Sequence, residues 1–125
     1  MANAFLSVAL GGALGASLRF GMGLWLVRFA PQGFPIAILT VNVIGSFLMG
    51  LFVVWSVQRG LEHWQLFVMT GVLGGFTTFS AFSLEVMTLF ERGQLGAAAL
   101  YVVLSVGLSV AALAIAVWLA RGLWA

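Results

Sequence analysis

Four runs of apolar residues, each long enough to cross a bilayer, follow one another along this chain with short polar breaks between them. A hydrocarbon core about 30 Å thick needs roughly 20 helical residues. The first run extends from about Phe5 to Val27 and gives way to Arg28 and the turn-like Pro31-Gln32-Gly33, with Pro35 suited to open the next helix. The second reaches about Val57, where Gln58-Arg59-Gly60 stops it. The third runs from about Trp64 to Phe90, before Glu91-Arg92-Gly93, and the fourth from about Leu95 to Ala120, before Arg121. Trp25, Trp55, Trp64, Trp118 and Trp124 all fall near predicted span ends, the depth at which indole rings prefer to lie. The apolar residues occupy every face of these helices, which a water-facing helix could not tolerate. The pattern predicts an all-α membrane protein with spans over 5–27, 35–57, 64–90 and 95–120, forming one transmembrane domain over 1–125.

Composition sharpens this reading. Of 125 residues 63% are hydrophobic and 6% charged, against about 25% charged in soluble domains. The net charge of +2 comes from five arginines and three glutamates spread along the chain, with no lysine, so no nucleic-acid footprint is present. The absence of cysteine excludes a thiolate nucleophile, a disulfide framework and a zinc ribbon. His63 is the single histidine and no metal-ligand spacing occurs, so enzymatic chemistry is not expected. Met1-Ala2-Asn3-Ala4 lacks the basic leader of a signal peptide, so the first apolar run is expected to be retained.

Arginines set orientation, and Arg28, Arg59, Arg92 and Arg121 follow successive spans on alternating sides. Two on each face give no bias. Either copies insert both ways and pair antiparallel, or a partner or weaker signals fix one orientation.

Two kinds of motif interrupt the apolar runs. Gly11 with Gly15, Gly12 with Ala16, and Gly71 with Gly75 place small residues at four-residue spacing, which lets helix backbones approach closely in lipid. The third run instead carries Gly74-Gly75-Phe76-Thr77-Thr78-Phe79-Ser80-Ala81-Phe82-Ser83, with paired glycines and four hydroxyls at its centre. Each glycine costs a helix about 1 kcal/mol relative to alanine, and hydroxyls in hydrocarbon need partners. Irregular backbone at membrane depth is tolerated where protein or a water-filled cavity covers it, and it commonly binds ions there. A broken third helix near Gly74 to Thr78 is therefore expected; the alternative is a continuous helix whose Ser and Thr bond back to their own carbonyls. Phe79 and Phe82 share one face among these hydroxyls, and the positive edge of an aromatic ring can face an anion without a fixed charge.

Asn42, about a third of the way into the second span, offers two N–H donors, either to a neighbouring helix or to a desolvating anion. Tyr101, Ser105 and Ser109 put three hydroxyls on one face of the fourth span, to line a path or to stitch helices together. Arg19 lies about 12 Å of helix rise inside the end of the first span and Glu85 about a turn inside the third. Either charge could serve a vestibule or the structure.

These stretches resemble a known family. Gly11-Gly12-Ala13-Leu14-Gly15-Ala16-Ser17-Leu18-Arg19-Phe20, Val41-Asn42-Val43-Ile44-Gly45-Ser46-Phe47 and Gly71-Val72-Leu73-Gly74-Gly75-Phe76-Thr77-Thr78-Phe79-Ser80-Ala81-Phe82 are similar to the three signature stretches of the Fluc (CrcB) fluoride channels, and the resemblance extends over all four spans. It implies an antiparallel, dual-topology homodimer in the cell (inner) membrane, exporting fluoride passively through two pores, with a structural sodium ion at its centre. By the resemblance Phe79, Phe82 and Asn42 line the pores, with Thr78 and Ser80 beside them. Tyr101 and Ser105 fall on its hydroxyl positions, with Ser109 following in register. Gly74 and Thr77 correspond to the backbone carbonyls that hold the sodium, and Arg19 to the family's first-helix arginine. Ala81 stands where threonine is frequent, which leaves both phenylalanines in register. Fluoride, lipid and a second copy are thus the implied partners. Two competing readings are a small dual-topology multidrug or cation exporter, which would need a carboxylate that the first span lacks, and a non-transporting scaffold.

Overall fold

The computed structural model describes residues 1–30 and 34–124, without the side chain of Trp124. The turn expected at Pro31-Gln32-Gly33 and the ring of Trp124 lie outside the described residues. Among those described, every regular element is helical: α1 (Ala2–Leu26), α2 (Ile36–Gln58), a 3₁₀ turn (Glu62–Trp64), a π-helical segment (Leu66–Leu73), α3 (Gly74–Phe76), α4 (Phe79–Glu91) and α5 (Leu95–Trp124). Four stretches, Ala2–Leu26, Ile36–Gln58, Glu62–Glu91 and Leu95–Leu123, are long and apolar enough to cross a membrane.

Helix ends follow cap chemistry more closely than the limits of the apolar runs. Gly60 and Gly93 adopt φ of 67° and 78° just past α2 and α4. In that left-handed conformation the next N–H reaches back six residues inclusive, from Leu61 to the Ser56 carbonyl at 2.7 Å and from Gln94 to the Leu89 carbonyl at 3.0 Å. The last helix continues past Ala120, with Arg121 in its final turn, where a cation complements the free carbonyls.

Two helix pairs build the bundle. α1 packs along the π-helical segment and α3, while α2 lies along α5. Small residues permit the first contact: a Cβ on Gly71 would come 2.9 Å from the Gly11 Cα, one on Gly75 would come 2.7 Å from the Gly12 carbonyl oxygen, and one on Gly15 would overlap the Val72 carbonyl. In lipid, where no water drives helices together, such close backbone approach supplies dispersion contacts instead. In the second pair, a Cβ on Gly50 would come 2.6 Å from the Leu113 carbonyl. α4 closes against α5 through buried Phe82, Leu89, Ala98 and Tyr101, flanked by Phe34, Ile38 and Val86. Trp25, Trp55, Trp64 and Trp118 are exposed.

Candidate functional site

The site grows from two residues between α3 and α4. Thr77 (φ −86°, ψ 158°) and Thr78 (φ −154°, ψ 119°) are extended, a conformation that suits β-branched side chains. Gly74 and Gly75 are helical. At Gly75 packing overrides the low helix propensity, since it is pressed against Gly12 and Ala16 of α1.

Extended residues strand backbone groups that a helix would pair, and in lipid each must find a partner. Thr78 finds one in Asn42 of α2: its N–H donates to Asn42 Oδ1 at 2.8 Å, and Asn42 Nδ2 donates to its carbonyl at 3.1 Å. One side-chain amide thus pairs with a peptide as a neighbouring strand would. The Thr77 N–H and hydroxyl both donate to the Leu73 carbonyl, each at 3.0 Å. Thr78 Oγ1 accepts from the Ala81 N–H at 3.1 Å and caps α4, with Ser80 Oγ 3.3 Å away. The Ser83 hydroxyl donates to the Phe79 carbonyl. Arg19 Nε donates to the Gly75 carbonyl at 3.1 Å. Among the described residues no hydrogen bond reaches the carbonyls of Gly74, Phe76 or Thr77.

Beside the extended pair runs an open groove of about 360 Å³. Asn42, Ser46 and Met49 of α2 form one wall, Thr77, Thr78, Phe79 and Phe82 a second, and Ser105, Ser109 and Leu113 of α5 a third. Gly45 belongs to the first wall, and a Cβ there would overlap the Thr77 methyl. The Phe79 and Phe82 rings lie 5.3 Å apart, and the Phe82 ring lies 5.3 Å from that of Tyr101, which Phe34 meets edge-on. Phe82 is 8% exposed but Phe79 is 76% exposed, so the single chain covers only one of the two rings. Tyr101 Oη, Ser105 Oγ and Ser109 Oγ are buried without a hydrogen-bond partner. Three buried orphan hydroxyls in successive turns are unusual, because each unpaired group carries a desolvation cost of about 1–3 kcal/mol.

The residues singled out in the sequence divide accordingly. Asn42, Thr77, Thr78, Phe79, Phe82, Ser105 and Ser109 converge on the groove, Tyr101 joins them through Phe82, and Ser80 lies beside the Thr78 hydroxyl. Arg19 is half-buried behind them on the α1 side, and Glu85 is half-buried on α4, one turn beyond Phe82. Sequence reasoning passed over Ser46 and Met49 as wall residues, although positions 42, 46 and 49 follow one helical face.

Four helices long and apolar enough to cross a membrane, with an open groove beside an extended backbone step, define a multi-pass membrane protein. A profile of the family described as "CrcB-like protein, Camphor Resistance (CrcB)" matches residues 6–117, and the chain belongs to that family. Relatives named "Fluoride-specific ion channel FluC" include those of Roseobacter denitrificans, 61% identical over 119 residues and 94% of each chain, of a Ruegeria species, 62% identical over 118 residues and 94% of each chain, and of Cereibacter sphaeroides, 53% identical over 122 residues and 98% of each chain.

Proposed function

We propose that this protein is a fluoride channel that exports the ion passively across the cell (inner) membrane, as an antiparallel homodimer with two pores and a third span broken at Thr77 and Thr78. The observation that carries the reading is the row of buried, unpartnered hydroxyls on α5, of which Ser105 and Ser109 line the groove with Asn42 and the phenylalanines and Tyr101 lies one turn before them against Phe82.

Fluoride is small and strongly hydrated, so a path must replace its water without holding it too tightly to leave. The hydroxyls can turn their protons toward an anion. Asn42 spends Oδ1 and one N–H on Thr78, and its second N–H remains to donate. Phe79 and Phe82 present ring edges of positive potential. The exposure of Phe79 favours a second copy as the missing wall, and the even arginine distribution favours its inverted orientation.

The resident sodium fits the donors available. The carbonyls of Gly74 and Thr77 accept no hydrogen bond among the described residues, and neutral carbonyl oxygens suit an alkali cation. Two per chain are too few for its shell, so the same pair from the second chain would complete it. When bound, the ion supplies a fixed positive charge beside the anion path and ties the two chains together.

The test is fluoride efflux from proteoliposomes read with a fluoride electrode. Phe79→Ile and Phe82→Ile should each abolish efflux while the dimer stays assembled; unchanged flux in both would remove the pore assignment. Flux that followed an imposed proton gradient would point instead to an exporter.

A further inference from the structure

In an unbroken helix the Gly75 carbonyl would accept the Phe79 N–H. The extended Thr77 and Thr78 carry the chain away from that path, and the carbonyl is left facing α1. There the Gly75 backbone lies against Gly12 and Ala16, and Arg19, one turn beyond Ala16 on the same face, reaches it with Nε at 3.1 Å. A guanidinium half-buried in a membrane helix is expensive, and its outer nitrogens can reach toward the interface while Nε, next to the apolar stem, cannot. The atom deepest in the protein is therefore the one bound to the third span.

We infer that Arg19 is a positioning residue: its Nε–H, more than its charge, takes the carbonyl released at Gly75 and holds the extended Thr77–Thr78 pair in place from the α1 side, opposite Asn42. Asn42 grips the pair at Thr78 and Arg19 grips it two residues before Thr77, so the pair is fixed from both flanks. This rests on the reading of the groove as a fluoride path. It differs from a vestibule role, in which the positive charge gathers anions and the identity of the donor atom is immaterial.

Side-chain topology separates the two. Glutamine places Nε2 at the same fourth side-chain position as Arg19 Nε, so Arg19→Gln keeps a donor there and removes the charge. Lysine keeps the charge but carries its nitrogen one atom further out. Methionine keeps the stem and removes the donor. Thr77–Thr78 is the single Thr-Thr peptide in the sequence, so protein labelled with ¹³C-carbonyl and ¹⁵N threonine gives one directly bonded cross-peak, which reports this peptide alone in reconstituted membranes.

Arg19→Gln should leave that cross-peak at its wild-type position and retain at least about half of the efflux at saturating fluoride. Arg19→Met should shift or split it and lower saturating efflux at least tenfold, with Arg19→Lys closer to methionine than to glutamine. An unmoved cross-peak in Arg19→Met would overturn the proposal. So would equal losses in the glutamine and methionine variants that high fluoride restores, the pattern of a charge that concentrates anions. Should Arg19→Met fail to assemble, glutamine against lysine still decides: lysine behaving as wild type and glutamine not would sink the proposal. The Phe82→Ile variant, four residues from Thr78, should show no efflux and an unsplit cross-peak, so failure of the channel reading and failure of this one are read on different signals.

Discussion

Replacing Asn42 with leucine keeps the side-chain size and removes both partners of the Thr78 peptide. The N–H that donated at 2.8 Å and the carbonyl that accepted at 3.1 Å would then lose their partner inside the bundle. Two unsatisfied buried groups cost about 2–6 kcal/mol, at about 1–3 kcal/mol each. Interhelical hydrogen bonds measured in membrane proteins are weaker, averaging about 0.6 and reaching about 1.7 kcal/mol, because the unfolded helices find other partners in the bilayer. Two such bonds at their upper range and two orphaned groups at their lower range agree near 2–3 kcal/mol, which is a 30- to 140-fold shift in the folding equilibrium at about 1.4 kcal/mol per decade. Unfolding in mixed detergent and urea, followed by tryptophan fluorescence, measures this. If Asn42→Leu unfolds at the wild-type midpoint, the amide does not hold Thr78, and the groove's second wall must be fixed by other contacts.

Gly45→Ala directs a methyl into that of Thr77, whose rotamer is held by its bond to the Leu73 carbonyl. Overpacking of this kind costs about 1–3 kcal/mol, and saturating fluoride efflux should fall about tenfold while the protein still elutes at the wild-type position on size exclusion. Tyr101→Phe removes a buried hydroxyl without a partner, so stability should hold or rise by up to about 1 kcal/mol while efflux falls. A loss of stability in that variant would mean the hydroxyl is a structural bond, and the case for a hydrated path along α5 would weaken.

The apolar runs made four helices legible, because length and all-round hydrophobicity depend on nothing beyond the local chain. Gly60 and Gly93 likewise mark the ends of α2 and α4 through local backbone preference. The partners of Asn42 and Arg19 were not legible. Thr78 is 36 residues from Asn42 and Gly75 is 56 from Arg19, and sequence alone left both the amide and the guanidinium with open roles. The π-helical segment at Leu66–Leu73 gave no sign of itself either. Its composition is that of any apolar helix, and its wider turn shifts which residues share a face, so a wheel drawn at the usual helical angle from Trp64 misplaces the residues beyond Leu66. The paired glycines drew attention to the right neighbourhood, but the extended residues are the threonines after them, and Gly75 is held helical by its contact with Gly12 and Ala16 of α1.

The Asn42–Thr78 pairing also has a mechanical consequence. Walls borrowed from separate helices would ordinarily slide, letting a passage widen around whatever enters it. Here a two-point amide clasp ties α2 to the extended pair, and α2 in turn lies along α5. The clasp therefore couples the α2 wall to the extended pair, and on the proposed reading a larger halide would meet a calibre that resists widening.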